Sequence, residues 1–381
     1  MSWGEITDET LAAAASMIGK PLRRSRMQWI ETTTRDAIRH FAWGQGDDNP
    51  LWVDKDYAGK SPAGGLIAPP CILYAVDSTI VAPKLPGVQW IYAGTEWTWF
   101  DHIREDDTFR IEAEMTKQEE KSGRRFSRWV LQTGKVRYFT QRNAQVASAV
   151  GHCARTPRAG HAGASAEEMV ENHRYTNAEI EDIERQVLSE PRQGSVPLYW
   201  EDVDVGAEVP PVVRGPLTIT DIVAWYSATQ GSLPYGGAHG DALRYRRRHD
   251  DYHINPETGA KDAAGRGHLE ADTARDVGMG GAYDVGPQRI SWAQHMLCNW
   301  MGDHGFLHKL SASVRRPNLV GDTIWWRGTV NAKREVGALK VVDITVEARN
   351  QKEMVSAFGA AVVALPSRSA GPVPLPLQPD P

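Results

Sequence analysis

The sequence predicts an α+β fold built twice, each copy a curved antiparallel sheet wrapped around a central helix. Three observations predict it. First, short anchors recur in the same order: Asp36 to Phe41 as Asp221 to Tyr226 (offset 185), Trp52 to Asp54 as His239 to Asp241 (187), Gly64 to Pro70 as Gly280 to Gly286 (216), Asp107-Thr108 as Asp322-Thr323 (215), and Ala149 to Gly151 as Ala357 to Gly359 (208). The offset changes only between anchors, as insertions and deletions in loops require. The jump from 187 to 216 places an insertion of 29 residues in the second copy, between Asp241 and Gly280. Second, within each copy the apolar period changes from that of a helix to that of a strand. Third, 381 residues are enough for two or three domains at roughly 150 residues each.

Each copy opens with a polar helical segment, Thr34 to Gln45 and Thr220 to Gln230, preceded by Thr and Asp residues suited to N-capping. A loop rich in Gly, Asp, Asn and Pro follows. An apolar helix comes next, Cys71 to Val81 in the first copy and Gln288 to Gly302 in the second. Then residues alternate: Trp97 and Trp99, then Phe109, Ile111 and Ala113, and in the second copy Val342, Ile344 and Val346 against Asp343, Thr345 and Glu347. Such alternation marks half-buried strands. The resulting organisation is 1–155 for the first half, 156–197 for a linker with an exposed helix over Asn177 to Ser189, and 198–366 for the second half with its insertion at 242–279. A Pro-rich tail, 367–381, is expected to be disordered.

Composition narrows the function classes. Mean hydropathy is −0.45 and no apolar run approaches 18 residues, so no membrane helix is expected. The net charge of −5 argues against general nucleic-acid binding. Three scattered cysteines, Cys71, Cys153 and Cys298, suit neither a disulfide framework nor a cysteine metal site. The N-terminus lacks the basic-then-apolar pattern of a secretory signal, and a cytoplasmic location is expected. The 14 tryptophans imply large aromatic cores or a pocket for flat apolar ligands.

The chemistry-bearing segment of the first copy reads Gly46-Asp47-Asp48-Asn49-Pro50-Leu51-Trp52-Val53-Asp54, then Gly64-Gly65-Leu66-Ile67-Ala68-Pro69-Pro70. It resembles the hydratase motif of the MaoC-like dehydratases and (R)-specific enoyl-CoA hydratases, Gly-Asp-x-Asn-Pro-Leu/Ile-His-x-Asp followed by Gly-x-Ile-Ala-x-Gly. With the repeat, the resemblance covers about residues 10–155 and 200–365. It implies a double hot-dog fold with one active and one degenerate half. It also implies reversible hydration of a trans-2-enoyl thioester. In that family an Asp and a His activate one water, and backbone N–H groups at the start of the central helix stabilise the thioester enolate oxygen.

The departures from the motif assign the halves. In the first copy the motif His is Trp52, whose indole only donates, and the helix-start Gly is Pro70, which has no N–H. Asp47 and Asn49 remain, more as loop-tying groups than as chemistry. The second copy keeps the His-x-Asp pair as His239 and Asp241, and the helix-start glycine as Gly286. His239 is therefore the expected general acid and base, Asp241 its orienting partner and Gly286 the oxyanion donor. The group replacing the family Asp is open among Ser232, Tyr235, Asp284 and Asp303. A composite of Asp47 and His239 is disfavoured, because the family's two motif regions belong to separate sites.

The insertion begins with Arg244, Arg246 and Arg247, which suit coenzyme A phosphates, and contains His253, His268 and Asp272. It either flanks the pocket as a lid or is a solvated charged loop. Its His and Asp residues have no tight spacing, so no metal is expected, and coenzyme A enters only as part of the substrate. Trp52 either fills the vacated first-half pocket or lines a tunnel for a long or polycyclic acyl group. The expected activity is enoyl-CoA hydratase or 3-hydroxyacyl-CoA dehydratase in fatty acid or steroid metabolism, as a homo-oligomer (a dimer) or a hetero-complex. A thioesterase on the same fold, or a non-catalytic acyl-CoA-binding subunit, are the rival readings.

Overall fold

The computed structural model describes residues 4–22, 28–123, 126–157, 173–230, 240–248, 253–255, 257–276 and 278–379. The first half contains helices α1 (Asp8–Ala15), α2 (Arg35–Gly44), α3 (Pro50–Val53), α4 (Lys55–Lys60) and α5 (Leu73–Val76), then strands β1 (Gln89–Trp99), β2 (Phe109–Lys121), β3 (Trp129–Thr140) and β4 (Gln145–Thr156). Helix α6 (Asn177–Leu188) lies between the halves. The second half runs through β5 (Glu208–Arg214), α7 (Ile219–Thr229), α8 (Gly240–Arg248), β6 (His253–Ile254), β7 (Lys261–Asp262), α9 (Ala271–Asp276) and α10 (Gly286–Met301). It closes with β8 (Phe306–Val314), β9 (Ile324–Val336), β10 (Leu339–Asn350) and β11 (Val355–Ala364).

The two sheets expected from the sequence are continuous. One nine-stranded antiparallel sheet runs β2-β3-β4-β1-β8-β11-β10-β9-β5. The halves meet where β1 pairs with β8, from Gly94 opposite Ser313 to Thr98 opposite Lys309. Gly94 opens this seam just after a bulge of β1 against β4: its φ is +146°, and a Cβ there would stand 2.4 Å from the Ala312 carbonyl oxygen. Only glycine accepts both conditions. Joining the sheets edge to edge removes two open edges that would otherwise invite pairing with other chains.

The halves differ in their central helix. In the second, α10 spans 16 residues, roughly 24 Å at 1.5 Å per residue, and nearly every side chain is buried. In the first, the helix expected over Cys71 to Val81 is only a 3-10 turn, Pro70–Ile72, leading into the four residues of α5. The reason is local. Asp77 adopts an extended conformation and its carboxylate takes the Ser78 N–H at 2.7 Å, while Thr79 hydrogen-bonds the Thr95 hydroxyl on β1 at 3.0 Å. Short polar side chains thus compete with the helical ladder and end it.

Tryptophans fill the core of both halves. Trp97 and Trp99 stack at 5.3 Å with Tyr74 edge-on to Trp97, and Trp225, Trp292 and Trp326 are fully buried in the second half. The halves also touch through α2 and α7, where Phe41 packs on Trp225 at 5.6 Å. The tail departs from expectation. Up to residue 379 it is placed against the fold, with Leu377 buried and its N–H donated to the Phe100 carbonyl at 2.7 Å. Its apolar residues, spaced among prolines, find a groove that the composition does not reveal.

Candidate functional site

The first-half motif loop is built by caps. Thr34 caps α2, the chain turns at Gly46, and Asn49 caps α3 by accepting the Leu51 N–H at 3.0 Å. Asp47 is buried and its oxygens are occupied: the Asn49 N–H at 3.0 Å, the Trp52 indole N–H at 2.9 Å and the Gln45 amide at 3.5 Å. Trp52, in the place of the motif histidine, therefore donates to Asp47 and offers no proton acceptor.

This loop is locked to the other half. His295, in the middle of α10 and fully buried, places Nδ1 3.5 Å from Asp47 and Nε2 3.1 Å from Glu190. Arg214, at the end of β5, pairs with Glu190, approaches His295 Nδ1 at 3.1 Å and donates to the Gln45 and Gly46 carbonyls. Burial disfavours the Glu190 charge, but the His295 hydrogen bond and the Arg214 charge outweigh it and hold the carboxyl below its usual pKa. Sequence reasoning found Asp47 and missed His295, Glu190 and Arg214. Arg214 and His295 gave a hint as charged or titratable residues within apolar runs; Glu190, in a polar stretch, gave none.

Beside this network lies a cavity of about 470 Å³, its mouth included, with an interior too tight for much more than water. Asn49, Trp52 and Pro70 line one side, and His102 and Asp303 bring polar chemistry to it. Burial pushes the His102 pKa down to about 4, aided by the Arg104 charge. Burial raises that of Asp303, partly offset by the Tyr57 hydroxyl and by the His304 and Arg192 charges. At the helix start Pro70 offers a carbonyl, taken by the Trp99 indole at 3.0 Å, and no N–H. His102 escaped the sequence reading because it belongs to no motif.

In the second half Gly286 is the first residue of α10. The Tyr92 ring, from β1 of the first half, lies so close that a Cβ on Gly286 would stand 2.2 Å from it. A glycine is required there, and the first half supplies the wall of the second half's helix start. Among the described residues nothing accepts the Gly286 N–H. The loop before it is rigid: Asp284 is buried, paired with Arg289, and accepts from Asn318 Nδ2 at 2.8 Å, while Arg289 also donates to the Ser356 carbonyl at 2.9 Å. Asp284 is thus consumed by structure, and Asp303 lines the cavity that both halves share beside the motif loop.

His239, Ser232 and Tyr235 lie outside the described residues. Asp241 falls in the first turn of α8. The three arginines are not presented together: Arg246 is buried, Arg244 and Arg247 are exposed, and Arg244 like Arg246 is engaged within the protein. Of the insertion's histidines, His268 is placed against the loop leading to Gly286, with Nδ1 3.0 Å from the Tyr283 carbonyl. Among the described residues no cluster of His, Cys, Asp and Glu could hold a metal ion, and no helix is long and apolar enough to cross a membrane. All three cysteines are buried, and burial pushes their thiols up, Cys153 to about 12, so none is a ready nucleophile.

Residues 17–149 match the family model described as the FAS1-like dehydratase domain region. In structure, the chain is similar to a MaoC-like dehydratase, with a TM-score of 0.62 at 15% identity over 92% of this chain and 99% of the other. The first half thus matches a dehydratase family model, and the whole chain has the double hot-dog fold. A putative MaoC domain dehydratase from Chloroflexus aurantiacus (TM-score 0.59, 12% identity, 92% and 96% covered) has the same fold. So does Rv0216 of Mycobacterium tuberculosis, described as a double hot-dog (0.52, 10%, 96% of both chains). No curated protein matches the sequence. The double hot-dog thus carries its recognisable motif in the first half and its complete central helix in the second.

Proposed function

We propose that this double hot-dog is a hydratase or dehydratase that adds or removes water at the C2–C3 bond of an acyl-CoA thioester, and that the second half holds the thioester. One observation carries the reading: of the two central helices, only α10 opens on a residue with an N–H to offer, Gly286, unclaimed among the described residues. The first-half helix opens on Pro70, and Asp47 is saturated by its own loop. Negative charge that develops on the thioester oxygen during hydration is stabilised by such a donor at a helix start.

The remaining roles follow from the chain's own groups. His239 is the acid–base histidine, oriented by Asp241, and the exposed Arg244 and Arg247 reach the phosphates of coenzyme A. Arg246, buried, is not available to a phosphate. The reaction calls for no metal or redox cofactor, and coenzyme A arrives as part of the substrate.

A series of trans-2-enoyl-CoA thioesters tests the reading. Loss of the enoyl absorbance without release of free thiol is the expected result. Release of thiol would establish the thioesterase instead, and turnover only with an added partner chain would establish the non-catalytic subunit.

A further inference from the structure

His295 is fully buried in the middle of α10, and its ring is held from three separate segments. Nδ1 stands 3.1 Å from the Arg214 guanidinium at the end of β5 and 3.5 Å from the Asp47 carboxylate of the first-half motif loop. Nε2 stands 3.1 Å from Glu190, which follows α6. A guanidinium only donates and a carboxylate only accepts. One ring nitrogen therefore faces a donor and an acceptor together, and its own protonation decides which of the two it bonds. In the geometry observed the guanidinium is nearer. Nδ1 thus offers its lone pair to Arg214, and the ring proton sits on Nε2, toward Glu190.

The surroundings provide for both arrangements. Without the ring, Arg214 Nη2 keeps the Gly46 carbonyl at 2.9 Å and Nε keeps the Gln45 carbonyl at 3.2 Å. The Asp47 oxygen that faces Nδ1 is Oδ2, the same one that accepts the Trp52 indole N–H at 2.9 Å. Two carboxylates against one guanidinium leave this buried set with one negative charge in excess when the ring is neutral. A second ring proton cancels that excess, which a low-polarity interior favours. Among the described residues, Asp47, Glu190 and Arg214 are the charged side chains against the ring. Cys298, about a turn further along α10, is held as a thiol by burial.

We propose that His295 is a proton-operated clamp between the halves: with Nδ1 bare it holds Arg214, and with Nδ1 protonated it bonds Asp47 instead and draws that carboxylate off the Trp52 indole. Solvent supplies and recovers the proton, and only hydrogen bonds are exchanged. The motif loop of the first half thereby registers the protonation state of the second half's central helix. The clamp is independent of the reaction that the protein catalyses.

The test is the Trp52 indole N–H resonance in the full chain, labelled with nitrogen-15 tryptophan and assigned by its loss in Trp52→Phe. Between about pH 8 and pH 5, where imidazoles change charge, it is expected to move upfield along a one-proton curve as its hydrogen bond to Asp47 weakens. His102 lines the same cavity as Trp52, but burial pushes its pKa down to about 4, below that range. Folded His295→Gln, whose amide can still accept from Arg214 and donate to Glu190, is expected to hold the resonance flat. A flat resonance in the wild type overturns the proposal, and so does a wild-type curve in folded His295→Gln. The histidine rings give a second measure that needs no variant. With nitrogen-15 histidine, one ring is expected to carry its proton on Nε2 alone at the alkaline end. That ring is expected to gain its Nδ1 proton with the midpoint of the Trp52 curve, and the absence of such a ring also overturns the proposal.

Discussion

The first half has the motif and the second has the helix. In the first half the motif carboxylate is present as Asp47, yet the donors Trp52, the Asn49 N–H and Gln45 immobilise it. In the second half the motif is barely recognisable, yet α10 is whole, begins on Gly286 and faces Tyr92 from across the seam. The contrast teaches that a duplicated fold can divide its labour. One copy retains the motif as a structural lock, the other retains a whole central helix that opens on a glycine.

The largest expected effect comes from breaking the lock. Arg214→Ala leaves Glu190 buried without its cation and strips Gln45 and Gly46 of a donor. It is expected to cost about 3–5 kcal/mol, read from denaturant unfolding. A loss under about 1 kcal/mol would show that the halves are not held together there.

Acid titration reports on the cavity that the two halves share beside the motif loop. The folded pKa of His102, about 4, lies below its unfolded value near 6.5. Between those values the unfolded chain binds a proton that the folded chain refuses. Stability is therefore full above about pH 6.5 and falls by up to about 3 kcal/mol as pH drops toward 4. His102→Asn is expected to flatten that slope in unfolding curves between pH 4 and 7; an unchanged slope would show that His102 is solvated.

Gly286→Ala sharpens the comparison from the second half. The added methyl meets the Tyr92 ring, at about 1–3 kcal/mol of overpacking, and displaces the N–H at the helix start. A fall in kcat of about 100-fold is expected. The matched change Pro70→Ala is expected to leave kcat unaltered, and equal losses in both variants would erase the distinction between the halves.

The smallest effect is Trp52→Phe. It removes the indole donor to Asp47 and is expected to lower stability by about 1–2 kcal/mol with kcat unchanged. A large loss of kcat with little loss of stability would return the chemistry to the first half.

Local signals carried the sequence reading where the physics is local. The capped helices α2 and α7, the alternating strands, the insertion and Gly286 at a helix start all follow from residues close together in the chain. The reading erred where a short-range rule met a longer-range one. The apolar run after Pro70 resembled a helix until Asp77 and Thr79 bonded elsewhere, and the Pro-rich tail resembled disorder until Leu377 reached its groove.

By itself the sequence determined that this is a duplicated α+β chain with a degenerate hydratase motif, because repeats, caps and periodicity are written in neighbouring residues. Only the tertiary structure decided what each charged group does. Asp47, Glu190, Arg214 and His295 come from separate segments of the chain. A carboxylate or imidazole acquires its role from the donors, acceptors and low-polarity surroundings that folding brings to it, and those come from distant segments.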